Sequence, residues 1–420
     1  MPTAEQGRSV AYVVSRYPAL SHTFIEREIE GLREQGVHVE TFTVRPCPPE
    51  ALITDRMRAE AATTKTLVGA GAGTWIAAHL DAFRRSPGAW FGGLGRALRT
   101  GPLHAKARVW QVFYFGEAVV LLHHLRKSGT RRIHAHFVNV ASDVARLAAD
   151  LGRRLDGPDA GWSWSFTMHG PTGFDAVKEA DLAAKGHDAD GVMCISHYCR
   201  SQMMAELQPE DWAKLELVRM TVDADTYHPP AQPRSGEGPV RILTVGRLVP
   251  EKGPTLLLEA LRLVKERGVD FRASLVGSGP LGDELASQVV ELGLKDVVTL
   301  TGPIGQDRLP DMYRESDIFA MASFQEGLPV VYMEALATEL PVVATAIAAT
   351  GELVVDGVTG RLVPPGDAEA LADAIEDLAR DPEKRARLGR AGREAVLAEF
   401  TSATAGPAAA RFFEHGQGRP

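Results

Sequence analysis

After residue 239 the sequence alternates short apolar runs with longer amphipathic ones, and this pattern limits the fold more than any other feature. Apolar runs fall at Arg241–Val245, Arg272–Val276, Val297–Leu300, Ile318–Met321, Val342–Ala344 and Arg361–Val363. Between them, stretches such as Thr255–Glu266 and Ala368–Ala379 repeat apolar residues at three- and four-residue spacing. Short unbroken apolar runs read as strands buried on both faces, and the stretches between them read as helices. Strands alternating with helices in this way pack as a parallel, doubly wound sheet.

The first half shows the same alternation less regularly. Strands are predicted at Val10–Ser15, Val39–Val44, Ile133–Phe137, Ser163–Met168 and Gly191–Ile195. A helix capped by Ser21 or Thr23 should run to Gln35 and stop at Gly36. A ragged, mostly helical region spans 51–126, and another helix passes through Ser201–Glu206. The expected fold class is therefore α/β, with two Rossmann-like doubly wound domains facing a central cleft. Ligands of such sheets sit beyond the carboxyl ends of the strands. A length of 420 residues suits two domains of roughly 200 each. The segment Pro229–Pro239, PPAQPRSGEGP, reads as the linker. The expected division is an N-terminal Rossmann-like domain 1–230, a linker 231–239, a C-terminal Rossmann-like domain 240–400, and a segment 401–420 returning to the first domain.

A net charge of −8 argues against nucleic acid as the main partner. Three cysteines, Cys47, Cys194 and Cys199, are too few and too odd for a disulfide framework and fit a reducing compartment. No window is apolar enough to span a bilayer, and MPTAEQGRSV has no signal-peptide character. The expected location is the cytoplasm, at most peripheral to the inner face of the membrane.

Two strand ends carry the chemistry. The first is Glu326-Gly327-Leu328-Pro329, continuing to Ala337 after the exit loop Ala322–Gln325. Pro329 suits the first turn of a helix running to about Glu339, before Pro341. The free N–H groups near Leu328 and Val330 would seat a phosphate. Glu326 at the mouth and Glu334 further along suit the hydroxyls on either side of a sugar nucleotide's diphosphate. The second is Gly246-Arg247-Leu248-Val249-Pro250-Glu251-Lys252-Gly253, where Arg247 and Lys252 offer a fork and a point charge for phosphates. By pattern alone, a solvated helix and an exposed basic turn remain alternatives.

GRLVPEKG, LVGSGPL, EGLPVVYMEALA and VTGRLVPPGD, in this order over residues 240–400, resemble the nucleotide-sugar domain of glycosyltransferase family 4. The N-terminal YPALSHTFIEREIEGLREQG and FTMHGPTGF more loosely resemble its colanic-acid and exopolysaccharide branch. The resemblance implies a GT-B fold and a retaining, metal-independent transfer of a hexosyl unit from a nucleoside diphosphate sugar, UDP-linked by expectation. The acceptor would be a glycan, a lipid-linked glycan or a small aglycone, in polysaccharide or natural-product biosynthesis. The catalytic set it implies is His169, Glu326, Arg247 and Lys252. The donor-binding set is Glu334, Gly327, Leu328, Pro329, Val330, Gly246 and Ile304. Ser21, His22, Thr23 and His136 are expected on the acceptor side, and neither a metal nor a cofactor is expected. Departures from the family pattern are Ala348-Ala349 where a glycine pair is usual, Thr221 before Val222-Asp223, and Ala19–Phe24 in place of a glycine-rich loop. A sugar-nucleotide epimerase and a non-catalytic sugar-nucleotide binder remain rival readings.

Other patterns carry less. Gly277-Ser278-Gly279-Pro280-Leu281-Gly282 matches a dinucleotide fingerprint but has a proline inside the loop and follows the second strand of its domain. Asp223-Ala224-Asp225 is too short to mark a metal, and Cys194 and Cys199 read as packing. The His134-x-His136 pair is expected to split across the strand's two faces, leaving one imidazole toward the site. From Phe83 to Trp110 there are six basic residues and no acidic one, interleaved with aromatics. That patch reads either as a solvated helix pair or as a surface for anionic lipid.

Overall fold

The computed structural model describes residues 8–19, 22–52, 54–101, 105–170, 174, 177–232 and 238–415. The chain divides into two compact units, Met1–Arg219 with Ala405–Pro420, and Met220–Thr404.

The first unit holds a seven-stranded sheet: β1 (Ser9–Arg16), β2 (His38–Arg45), β3 (Lys65–Thr66), β4 (Arg132–His136), β5 (Ser163–Met168), β6 (Gly191–Cys194) and β7 (Leu215–Leu217). The order is β3-β2-β1-β4-β5-β6-β7, and neighbouring strands are parallel. Val10 to Val14 are all buried, as a strand covered on both faces requires. Residues 51–126 resolve into helices Asp55–Thr63, Ala72–Arg85, Pro87–Ala97 and Ala105–Ser128. Two of the glycines that make this region look ragged are packing sites. A Cβ on Gly93 would stand 2.8 Å from the Phe115 ring, and one on Gly116 would stand 2.6 Å from Trp75.

The second unit holds β8 (Val240–Val245), β9 (Phe271–Val276), β10 (Val298–Gly302), β11 (Ile318–Met321), β12 (Val342–Thr345) and β13 (Gly360–Val363). Their order is β10-β9-β8-β11-β12-β13, again parallel throughout. The helix Pro254–Glu266 buries Leu257, Leu258, Leu261 and Val264, spaced to lie along one face, in the same core as Ile242 and Leu275 of β8 and β9. Each such side chain contributes about 1.5–3 kcal/mol by leaving water, and Leu261→Ala should cost about 2–5 kcal/mol.

In both sheets the chain reverses direction of build between the first and fourth strands. The crevice at that switch point is where such sheets bind ligands. It lies between β1 and β4 in the first unit and between β8 and β11 in the second.

The unit boundary falls between Arg219 and Met220, ahead of the expected domain limit at 230 and the expected linker 231–239. Residues after 219 are held by the second unit's core. Tyr227 is buried edge-on to Tyr313 at 5.5 Å and donates to Gln306 Oε1 at 3.1 Å. The helix Ser402–His415 carries Phe412 and Phe413, which pack with Tyr12 and Val10 of β1. Gly191 lacks a side chain where a Cβ would meet the Phe412 ring at 2.8 Å.

Candidate functional site

In the second unit, the loop after β8 runs Gly246-Arg247-Leu248 into a short 3₁₀ turn, Pro250–Lys252. Gly253 then adopts φ +58° and opens the next helix. A Cβ at Gly253 would lie 2.0 Å from the Ala322 carbonyl oxygen, so only glycine lets this loop close on the loop after β11. Phe324 N–H and Gln325 N–H both donate to the Glu251 carbonyl, at 2.8 and 3.2 Å.

The result brings Lys252 to Glu326. The ammonium donates to Glu326 Oε1 at 2.6 Å, and Ser323 Oγ donates to the same oxygen at 2.7 Å. Ser323 is in turn fixed by Thr345, whose hydroxyl donates to its carbonyl at 2.5 Å. Glu326 is buried, while Arg247 is exposed. The helix is Val330–Ala337, with Pro329 as its extended N-cap residue. This corrects the expectation that Pro329 lies in the first turn and that the helix reaches Glu339, because Glu339 takes φ +60° beyond the helix end. The earliest N–H groups of this helix have no acceptor within it. Glu334 is buried on the helix and accepts from Tyr313 OH at 3.1 Å. Tyr332 is wholly buried; burial first, and the Glu326 carboxylate second, push its phenol far above the usual tyrosine range.

The loop after β9 lies against the same floor. A Cβ at Gly277 would meet the Gly246 carbonyl oxygen at 1.8 Å, and one at Gly279 would meet that of Leu248 at 2.3 Å. Leu248 N–H donates to Ser278 O at 2.9 Å, and Leu281 N–H donates to Leu248 O at 3.1 Å. These glycines let two backbones touch, which accounts for a fingerprint-like spacing by packing. Ile304 follows β10, whose Gly302 carbonyl accepts from Gly277 N–H at 3.0 Å. It therefore joins the site's floor at one remove, two strands from β8. Asp223 spends its carboxylate on its own turn, accepting from the Asp225 and Thr226 N–H groups and the Thr226 hydroxyl.

In the first unit a histidine cluster occupies the switch point. His134 and His136 lie on β4, His169 follows β5, and Phe24 and Glu28 come from the helix Thr23–Glu34. The expectation that His134 and His136 split across the strand fails. Residues two apart share a face, and both rings lie against Tyr12, at 5.0 and 4.9 Å. His134 has Ser165 Oγ and Thr167 Oγ1 each 2.8 Å from a ring nitrogen. His136 Nδ1 lies 2.8 Å from His169 Nε2, and His136 Nε2 lies 3.6 Å from Glu28 Oε1. Tyr12 OH donates to that oxygen at 2.5 Å. The His169 ring is held between Phe24 and Phe137 at 4.7 and 4.6 Å. Phe137 takes φ +70°, a conformation a bulky side chain adopts only under constraint.

Burial pushes Glu28 up to about 7, His22 down to about 4 and His134 down to about 3. His136 and His169 are also driven well below the usual imidazole range, by burial first and neighbouring imidazoles second. These rings are neutral, with one proton each. An ionised Glu28 favours the proton on His136 Nε2. His136 Nδ1 then accepts from His169 Nε2–H, and His169 Nδ1 keeps its lone pair. Glu28, His134 and His136 offer ligand atoms within 4.8 Å of one another, although both His134 nitrogens already face hydroxyls.

His22 is the N-cap residue of its helix but makes no side-chain cap bond, turning its ring toward Phe137 at 5.3 Å instead. Thr23 is the first helical residue, and Ser21 lies outside the described residues. Ser323, Tyr313, Tyr12, Phe24 and Glu28 were not anticipated. For the last two a signal existed, since residues four apart on a helix share a face.

Two parallel α/β units of dinucleotide-binding strand order, with a charged constellation at the second unit's switch point, define the GT-B class. HepE of Anabaena, solved in complex with UDP, superposes with a TM-score of 0.69 over 95% of this chain and 97% of its own, at 16% identity, and so shares the fold. Residues 229–395 match the family Glycosyl transferases group 1. A GDP-mannose-dependent alpha-(1-6)-phosphatidylinositol monomannoside mannosyltransferase of Mycolicibacterium smegmatis is 34% identical over 245 residues, covering 55% of this chain and 63% of that one. The putative colanic acid biosynthesis glycosyltransferase WcaL of Salmonella typhimurium is 30% identical over 271 residues, covering 56% and 66%. The chain thus spans less than two thirds of the length of these relatives.

Proposed function

We propose that this chain transfers a hexosyl unit from a nucleoside diphosphate sugar to an acceptor hydroxyl, with retention at the anomeric carbon. The observation that carries the proposal is the Lys252–Glu326 pair at the β8/β11 switch point, beside the start of the Val330–Ala337 helix. As the glycosidic bond breaks, negative charge grows on the leaving diphosphate. Lys252, Arg247 and the first N–H groups of that helix stabilise it electrostatically. Glu326 holds Lys252 in place and offers its second oxygen to sugar hydroxyls, and Glu334 serves the ribose. His169 of the first unit, a neutral imidazole, is the further catalytic residue that the family resemblance implies. The leaving phosphate itself takes the acceptor's proton.

In this reading the charge-stabilising groups are protein atoms, and activity persists in EDTA. The family resemblance carries the expectation of a UDP sugar; the mycobacterial relative's name, with GDP-mannose, makes guanine the alternative. The acceptor is a glycan, a lipid-linked glycan or a small aglycone.

The experiment is acceptor-dependent release of nucleoside diphosphate from a panel of UDP- and GDP-sugars, with and without EDTA. Glu326→Ala should cut turnover sharply, and Glu334→Ala should mainly weaken nucleotide binding, by about tenfold to a hundredfold. Release only when a divalent metal is restored, or wild-type kinetics in both variants, would refute the assignment. Epimerisation of the donor without any acceptor would refute transfer.

A further inference from the structure

We propose that the helices Ala72–Arg85, Pro87–Ala97 and Ala105–Ser128 form a face of the first unit that seats on an anionic lipid bilayer. Ile76, Leu80 and Phe83 recur at four- and three-residue spacing along the first helix and are all exposed, Ile76 by 60%. Phe83 meets Phe91 of the second helix at 6.0 Å, and Phe91 is itself 60% exposed. The first and third helices pack through Trp75 on Gly116 and His79 on Phe115. The third helix adds exposed Val109, Trp110 and Phe113. Monomeric proteins rarely leave so many large apolar side chains on adjacent helices in water.

The charge around this apolar surface selects its occupant. From residue 82 to 116 there is no acidic residue and there are six lysines and arginines, in a chain of net charge −8. Some of the six are engaged. Arg85 pairs with Asp81, Arg96 pairs with Asp188, and Arg108 donates to the Leu98 and Thr100 carbonyls. Arg84, Arg99 and Lys106 are exposed and make no ion pair among the described residues. Apolar and aromatic side chains rimmed by unneutralised cations match the boundary between acyl chains and anionic headgroups. A polyanion such as nucleic acid would use the cations but not Ile76, Phe91 or Phe113. None of these helices is long and apolar enough to cross a bilayer, so the mode is lying on the surface.

The test is co-sedimentation of the whole chain with phosphatidylcholine vesicles, with or without an equal share of phosphatidylglycerol. Binding is expected to the anionic vesicles at low salt, and it should fall as the Debye length drops below about 8 Å. Each basic residue removed should lower partitioning about fivefold, so Arg84→Glu/Arg99→Glu/Lys106→Glu should lower it a hundredfold or more. Phe91→Ser/Phe113→Ser should weaken binding at every salt concentration. The charge-matched triple Lys295→Glu/Arg387→Glu/Arg390→Glu, exposed positions of the second unit, should leave binding near wild type. Circular dichroism of each variant reports folding.

Negligible sedimentation at low salt would overturn the proposal, as would equal losses in the two charge triples. A dimer dissolved by Phe91→Ser, in a protein that ignores vesicles, would assign the face to a second copy and overturn it as well. The assay reads lipid alone, so its failure leaves the donor-site reading untouched.

Discussion

Lys252 Nζ stands 2.6 Å from Glu326 Oε1, joining the loops that leave the two central strands of the second sheet. Glu326 is only 5% exposed, so Lys252 is a close countercharge to a buried carboxyl. Removing one member of such a pair strands the other. Lys252→Met should therefore lower the unfolding free energy by about 3 kcal/mol, and Lys252→Met/Glu326→Gln should recover much of it. Urea titration of both variants measures the difference; additive losses would mean that the pair is not coupled.

Gly253→Ala should be far more damaging than an ordinary glycine substitution. Its Cβ would lie 2.0 Å from the Ala322 carbonyl oxygen, which is backbone and cannot swing aside. A cost on the order of 3 kcal/mol with loss of nucleotide binding is expected. Gly268, at φ +76° with nothing within 4 Å, is the comparison, and Gly268→Ala should cost only about 1 kcal/mol. Equal midpoints for the two would remove the close-approach argument.

The alternation of strands and helices was legible in the sequence because fully buried parallel strands leave unbroken apolar runs. Both sheets follow from it, apart from β3 and β7, which are two and three residues long. The Glu326 and Lys252 motifs were legible as strand-end loops, but their direct pairing was not, since it depends on Gly253 bringing two loops together. The boundary at 219 was hidden because the Pro/Gly-rich stretch near 230 is a stronger composition signal than one tyrosine packed on Tyr313. Ala348, at a position where the resemblance to glycosyltransferase family 4 implies a glycine, takes φ +43° and so keeps a glycine-like backbone.

Acid should destabilise the first unit. A buried imidazole with a depressed folded pKa contributes its stability above its unfolded value near 6.5 and loses it as pH falls toward the folded value. For His134, folded near 3, that is about 2 kcal/mol between pH 6.5 and 5. His22, His136 and His169 act in the same direction. Glu28, raised to about 7, acts oppositely, contributing most below its unfolded value and losing this as pH rises through 7. Across the first unit, Glu26, Glu117 and Asp143 are also raised by burial and His79, His123 and His124 also lowered by it, so seven imidazoles stand against four carboxyls and the melting temperature should fall from pH 7 to pH 5. A flat or rising curve would show that the rings titrate freely.

Glu28 and His136 should matter to turnover through His169. Glu28→Gln removes the charge that fixes the His136 proton, and His136→Phe removes the partner of His169 Nε2. Both are expected to lower kcat tenfold or more while leaving nucleoside diphosphate affinity unchanged. Glu28→Gln should also flatten any pH dependence of kcat centred near 7. An unchanged kcat in both would reduce the cluster to packing.

The measurement that bears most directly on the account is calorimetric titration of UDP, GDP, uridine and guanosine into the wild-type chain, Arg247→Ala and Lys252→Ala. If the β8/β11 switch point holds a diphosphate, one of the two diphosphates should bind far more tightly than its nucleoside. Each substitution should then weaken the diphosphate by about tenfold to a hundredfold and the nucleoside hardly at all. Diphosphate and nucleoside binding equally, or losing affinity equally in the variants, would contradict the assignment of this site.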